Sequence, residues 1–457
     1  MTTTYGGRAA RRYTETRARP RRSPVRPVLA LLWGGAAAVL LLWWVNNDRI
    51  VGTAEWLIGA ARITGLLAGY GCAVLVGLMA RVPALERRVG SDRVSRWHAM
   101  AGRYTLSLVL CHVVLMLYGY ALQSETGVVE QTVTVVLDYP EMIKAASGTG
   151  LLLAVGFVSI GAVRRRVRYE TWYYLHLTTY VALYLVFWHQ LAVGAEFLGN
   201  PAVRTAWYAL YGGVGVLVLW YRVLAPVRLN LRHRLRVEAV VPEAPGVLSV
   251  LIRGRRLQAL GAEPGQFFRW RFLTEGLRWT ANPYSLSALP RPDLLRITVK
   301  AAGDHSAALA HLRPGTRVWA EGPYGALTAS RRSSDKVLLI AGGVGITPLR
   351  ALFEVLPARP GDLTLLYWAR RAEDLALRGE LEAIADARGA RLMYSVNQAD
   401  GRRAARITPR TLLRIVPDLE DHDVYLCGPP AMTEAAWDAL RAAGVPQRQI
   451  HHESFEL

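Results

Sequence analysis

Residues 98–112 read HAMAGRYTLSLVLCH, and residues 176–189 read HLTTYVALYLVFWH. Both stretches are apolar enough for a bilayer, and each begins and ends on a histidine: His98 and His112, then His176 and His189. The members of each pair are fourteen and thirteen residues apart, so at about 1.5 Å rise per residue each pair spans roughly 20 Å of helix. One apolar segment separates the two stretches, so the helices run in the same direction and offer two matched levels. A lone histidine at membrane depth is more often a packing residue, but ionisable groups there are costly, and four at matched spacing point to a ligand set. Neutral imidazoles suit iron. Two b-type haems are expected, one between His98 and His176 and one between His112 and His189. Fourteen residues at about 100° each return a side chain to within roughly 40° of its start, whereas thirteen leave it roughly 140° away. The second of these helices must therefore bend or carry a local irregularity.

Working outward, six stretches reach the roughly 20 apolar residues a crossing needs: 27–46, 54–80, 98–121, 147–163, 170–193 and 204–224. Arginine concentrates in the N-terminal tail, in residues 81–96 and in Arg164-Arg165-Arg166-Val167-Arg168, while the opposite loops hold Asp48, Glu125, Glu130, Asp138, Glu141 and Glu196. The positive-inside rule then places both termini in the cytoplasm of a multi-pass cell-membrane protein, with Pro226 expected to end the last helix. The first apolar run is too long for a signal h-region and reads as a retained anchor. The net charge of +20 belongs to these flanks, so no nucleic-acid partner is inferred; the lipid bilayer is the partner instead. Cys72, Cys111 and Cys427 lack the spacing of a disulfide framework, a zinc site or a c-type haem.

Beyond the membrane half the pattern changes. Residues 235–241, 247–253, 266–272, 294–301 and 317–321 alternate like short strands between Pro and Gly, which predicts a small antiparallel barrel. From Lys336 strands alternate with helices (337–341, a helix after Thr347, 363–368, a helix from Glu373, 424–427), the mark of a parallel nucleotide-binding sheet. The expected architecture is a multi-domain membrane protein: a basic tail (1–26), a six-helix transmembrane bundle (27–226), an antiparallel β-barrel (227–332) and an α/β parallel-sheet domain (333–457).

The membrane half resembles the ferric reductase-like transmembrane domain shared by NADPH oxidases and ferric reductases, whose haems hang from two histidine pairs at these spacings. Arg62 is an intramembrane charge that a haem propionate would pair, and Arg103 could do the same for the inner haem or extend to the nearby interface. One turn beyond the outer ligand, where superoxide-making oxidases carry another histidine, this chain has Met116.

Asn282-Pro283-Tyr284-Ser285-Leu286-Ser287 resembles the flavin motif of the ferredoxin–NADP reductase superfamily. The resemblance implies FAD, with Tyr284 stacking on the isoalloxazine and Ser285 hydrogen-bonding to it. The usual basic residue of the motif is Asn282 here, and Arg278 is the candidate substitute. Gly303-Asp304-His305-Ser306 opens a helix after a strand, where backbone N–H groups and the Ser306 hydroxyl suit a pyrophosphate; Asp304 and His305 also read as caps. Glu321-Gly322-Pro323-Tyr324-Gly325 is similar to the turn that closes the superfamily's barrel. Ala341-Gly342-Gly343-Val344-Gly345-Ile346-Thr347-Pro348 joins a strand to a helix, the context in which such a loop binds a dinucleotide. Cys427-Gly428-Pro429 lies where the family places a cysteine beside the nicotinamide, and Phe455 where an aromatic covers the flavin. Arg370 and Arg371 follow the sheet's second strand and favour NADPH over NADH through a 2′-phosphate; a solvated basic surface is the alternative.

These motifs imply that electrons pass from NAD(P)H through FAD and two haems to ferric iron, a metal complex, oxygen or a periplasmic-side partner outside. Three alternatives stand beside that function: an NADPH oxidase making superoxide or peroxide, a haem-free flavin reductase on a membrane anchor, and a transporter or sensor using the intramembrane His and Arg residues.

Overall fold

A computed structural model describes residues 25–46, 51–397 and 406–453. The chain divides into two compact units, Ser23–Val82 with Arg93–Arg222 and Pro83–Asp92 with Val223–Leu457.

The first unit is helical: α1 Val25–Asn46, α2 Thr53–Leu78, α3 Ser91–Ser124, α4 Val128–Asp138, α5 Met142–Val158, α6 Tyr169–Leu177, α7 Thr179–Val193 and α8 Pro201–Val218. Among the described residues four helices are long and apolar enough to cross a membrane, or five if the bent pair α4 and α5 is one span. That pair turns by 113° at Pro140, which holds Tyr139 extended (φ −87°, ψ 141°) before α5 begins. The fourth expected span, 147–163, is thus carried by a helix that starts earlier and stops at Val158.

The fifth expected span divides at Thr178. There the backbone N–H bonds the carbonyl three residues back, Leu175, at 3.1 Å. The Thr178 and Thr179 hydroxyls donate to the Leu175 and His176 carbonyls at 2.6 and 2.7 Å. Hydroxyls that back-bond in this way loosen the ladder and bend helices. Pro226 does not end the last helix: a π-helical turn, Leu219–Leu224, precedes α9 Ala225–His233, and its wider bore makes room for a ring that lacks an N–H. The apolar interior of this unit gathers Val39, Trp43, Leu66, Leu191, Phe197 and Trp207. Close helix approach is possible where side chains are missing: a Cβ on Gly148 of α5 would meet the Ala182 carbonyl of α7 at 2.9 Å.

The second unit has two lobes. In the first lobe β1 Arg236–Ala244, β2 Val247–Arg253 and β5 Leu294–Lys300 form one antiparallel sheet. A second antiparallel sheet is formed by β4 Asn282–Ser285, β3 Phe267–Phe272 and β6 Val318–Tyr324. Between the sheets only the isolated bridges Arg236–Arg317 and Leu286–Ile297 occur among the described residues, so the expected barrel is a pair of open sheets. Strand β3 reads F-F-R-W-R-F, and its period of two drives Phe268, Trp270 and Phe272 into the core at 0% exposure. Helix α9 is pinned to this lobe by Asn230, whose side chain both donates to and accepts from the Ala320 backbone at 2.8 Å.

In the second lobe a five-stranded parallel sheet has the order β11-β10-β7-β8-β9 (Ile450–His452, His422–Cys427, Lys336–Gly342, Leu363–Trp368, Arg391–Ser395). Nearly continuous apolar strands are covered on both faces, which is what a parallel sheet requires. The expected helix from Glu373 starts later: α12 is Arg378–Arg388, after a short 3-10 turn.

Candidate functional site

The four histidines project from three helices: His98 and His112 from α3, His176 from α6 and His189 from α7. The His98 and His176 rings lie 6.0 Å apart, centre to centre, and those of His112 and His189 lie 6.5 Å apart. Metal–imidazole bonds of about 2.0–2.1 Å place two ring centres roughly 6 Å apart across one ion, so both pairs are spaced for an iron between them. The interruption at Thr178 lies between His176 and His189, where the thirteen-residue register requires a phase change. His98 Nδ1 is 3.1 Å from the Leu75 carbonyl and His112 Nδ1 is 2.8 Å from the Ala61 carbonyl, leaving Nε2 as the free donor on each ring. A pair of imidazoles is the donor set of a haem iron rather than of a four-ligand zinc. Among the described residues no group of three or more His, Cys, Asp or Glu side chains converges.

Arg62 is half-buried and its charge acts on Tyr120, whose ring is 6.3 Å from that of Tyr139. Arg103 is exposed on α3.

In the second unit, β4 carries Asn282, Pro283, Tyr284 and Ser285 against β3, with Phe268 opposite Tyr284 and Trp270 opposite Asn282. Trp270 Nε1 donates to the Tyr284 carbonyl at 2.9 Å. Burial pushes the Tyr284 phenol up to about 12, eased by its hydrogen bond with Asn282, so the hydroxyl stays protonated; it lies 3.4 Å from His305 Nδ1. Ser285 is buried. Arg278 stacks over Trp279 at 5.4 Å, and the indole is 71% exposed. Beside this strand Arg271 Nε and Thr280 Oγ1 are buried without hydrogen-bond partners among the described residues. An anionic, hydroxyl-rich cofactor such as FAD would satisfy both.

The Ser306 hydroxyl accepts from the Ala302 and Gly303 N–H groups at 2.9 and 3.1 Å and donates to the Gly303 carbonyl at 2.9 Å. It closes the turn rather than pointing a free donor at a phosphate, and the helix it opens, α10 Asp304–Ala308, has five residues.

The glycine loop is used unevenly. A Cβ on Gly342 would lie 2.2 Å from Met432 Sδ, and one on Gly345 would lie 2.2 Å from the Cys427 carbonyl. These two glycines therefore let the loop pack on the segment after β10. Gly343, at φ +53°, faces open space and lines a cleft of about 350 Å³ together with Trp368, Arg370, Asp374, Asn397 and Pro429. Thr347 is buried and its hydroxyl points at the Val344 and Thr298 carbonyls, 2.8 and 3.3 Å away. Arg370 lines the cleft, whereas Arg371 is paired with Glu373 and Asp374 at 2.5 and 3.4 Å. Cys427 is fully buried, and its Sγ lies 3.8 Å from the Glu453 carbonyl. A Cβ on Gly325 would meet the Glu453 carboxylate at 3.0 Å, so the C-terminal segment reaches both lobes; Phe455, expected to cover the flavin, lies outside the described residues.

An ion network unnoticed in the sequence joins the lobes. Arg296 of β5 holds Glu380 of α12 through two bonds of 2.5 and 2.8 Å, and Arg350 of α11 (Ile346–Val355) reaches the same carboxylate at 2.8 Å. Arg296 also donates to the Ser287 hydroxyl and carbonyl at 3.1 and 3.0 Å, at the end of the β4 motif. Burial raises the Glu380 carboxyl, but the two guanidiniums outweigh it and hold its pKa below the ordinary 4.5.

Comparison with known proteins agrees with both halves. Residues 64–187 match the family described as ferric reductase like transmembrane component, and residues 339–438 match the oxidoreductase NAD-binding domain. The stachydrine N-demethylase reductase subunit of Rhizobium meliloti is 30% identical over 226 residues, which cover 47% of this chain and 64% of that protein. The ferredoxin reductase component of 3-ketosteroid-9-alpha-monooxygenase from Mycobacterium tuberculosis is 32% identical over 200 residues, covering 42% and 54%. The chain thus spans less than two thirds of either relative. The flavohem-like FAD/NAD binding domain of nitric oxide dioxygenase from Vibrio cholerae aligns with 48% of this chain and 98% of its own, at 26% identity and a TM-score of 0.42. The chain is thus similar to a ferric reductase-like transmembrane component over residues 64–187 and to an oxidoreductase NAD-binding domain over residues 339–438.

Proposed function

We propose that this chain is a transmembrane oxidoreductase that moves electrons from cytosolic NAD(P)H, through FAD and two b-type haems, to an acceptor outside the membrane, in the manner of a ferric reductase. The observation that carries the reading is the meeting of the four histidines as two pairs at 6.0 and 6.5 Å in a chain whose other unit is an oxidoreductase domain. When bound, the flavin takes up a hydride and releases electrons singly, and the haems carry single electrons.

The chain's own residues have the following parts. His98 with His176 and His112 with His189 hold the two irons, and Arg62 offsets haem carboxylates. Tyr284 and Ser285 position the flavin ring, while Arg271 and Thr280 supply donors beside it. Gly343 admits the dinucleotide backbone, Arg370 selects a 2′-phosphate and so favours NADPH, and Cys427 with Gly428 and Pro429 shapes the nicotinamide end. The topology is six crossings, counting α4 with α5 and α6 with α7 as one each, with the basic loops and both termini cytoplasmic. The acceptor is ferric iron, a metal complex or oxygen; Met116, in place of a further histidine, favours the metal.

The test is a reduced-minus-oxidised absorption spectrum of purified protein with NADPH or NADH as sole donor. A b-haem signal is expected, with His98→Ala and His112→Ala each removing about half of it. Well-folded protein that reduces its flavin without a haem signal would instead be a membrane-anchored flavin reductase, and the proposal would fall.

A further inference from the structure

The ligand histidines are not anchored alike. His98 and His112 have Nδ1 within hydrogen-bond distance of the Leu75 and Ala61 carbonyls, 3.1 and 2.8 Å away. A ligating imidazole ordinarily has its second nitrogen held in this way, which fixes the ring plane and raises its basicity. Like His189 Nδ1 in the outer pair, His176 Nδ1 is buried and has no hydrogen-bond partner among the described residues. What lies against it is Trp172, one turn earlier on α6, with ring centres 5.1 Å apart and planes 24° from parallel. Trp172 is held in turn: its Nε1 donates to Ser159 Oγ at 3.2 Å, and the Arg164 guanidinium sits over the indole 4.5 Å from its centre. Arg164 donates back to the Val167 carbonyl at 3.5 Å and is half-buried, unlike its exposed neighbours Arg165 and Arg166.

We propose that the Arg164–Trp172–His176 stack is the positioning element of the inner haem site. It rests on the reading that His98 and His176 hold a haem. Stacking on Trp172 sets the plane of His176 in place of the missing hydrogen bond. An imidazole without that bond is a poorer donor to iron, and a cation close by favours the more reduced state. The first effect acts at both levels, through His176 and His189; the second, from Arg164, singles out the inner haem and raises its reduction potential. Arg164, the last residue of the short helix Gly161–Arg164, is thereby given a redox role that its neighbours lack.

The experiment uses the full-length protein in detergent, with haem stoichiometry, low-spin electron paramagnetic resonance and spectroelectrochemical titration as readouts. Arg164→Ala should keep both haems, lower the midpoint of one and leave the other unmoved, with Arg164→Lys restoring most of the shift. Trp172→Leu should change the g-values of that same haem, and Trp172→Phe should change them less. His98→Ala, which removes the inner haem, identifies the signal. Two haems with unchanged midpoints and g-values in both Arg164→Ala and Trp172→Leu would overturn the proposal. Wild-type protein without any b-haem signal would instead sink the haem reading beneath it.

Discussion

Gly65 on α2 shows how tightly the histidine sites are built. A Cβ there would lie 2.6 Å from His112 Nδ1, on the atom that meets the Ala61 carbonyl. Gly65→Ala should therefore push the ring off its anchor and cost the outer haem while sparing the inner one; haem stoichiometry falling by about half checks this. Other single residues could be marked in the sequence but not their use. Ser306 and Thr347 stand at helix starts where hydroxyls often meet phosphates, yet both hydroxyls are spent on nearby carbonyls. Local backbone competition of that kind has no signature in residue type. Trp172 carried a signal, an aromatic one turn before a ligand, but aromatics are common in membrane helices and this one did not stand out. Arg370 and Arg371 look alike in sequence; only the acidic partners of Arg371 separate them.

Elements were legible where period and punctuation agreed. The β3 alternation, the parallel strands and the glycine loop could be read because side-chain period and loop chemistry report directly on local geometry. The interruption at Thr178 was required by helix phase, but its position depended on threonine back-bonds. The π turn before Pro226 escaped notice because proline usually stops a helix. So did Arg296, Glu380 and Arg350, three charged residues far apart in the chain that meet on one carboxylate. Glu380, with its pKa depressed in the folded protein, stabilises the fold above its ordinary pKa, and that contribution is lost as pH falls through the depressed value. Denaturation followed from neutral pH to below about 4.5 should show an acid-side loss that Glu380→Gln flattens. The same substitution should slow flavin reduction by NADPH, since Arg296 links Glu380 to Ser287 beside the flavin motif.

At the scale of the molecule, two units divide the work: helices that present paired imidazoles, and two lobes that carry the flavin motif and the glycine loop. That division was visible in the shift from long apolar runs to short alternating ones. The number of crossings was less so, because a 113° bend and a split helix replace two uniform spans. The split has its own consequence. Each half of the histidine-bearing segment is braced at a different point on one helix, α6 by Trp172 on Ser159 just past the end of α5 and α7 by its approach to Gly148 of α5. Histidine levels roughly 20 Å apart, each on its own half of the divided segment, should respond independently. Paired substitutions, one per level, should therefore shift the two haem midpoints additively, and a measured coupling between them would contradict this. On the proposed haem reading, such a joint lets one metal centre drift under selection while the other stays where it is, so that homologous chains acquire different acceptors by altering only the outer half.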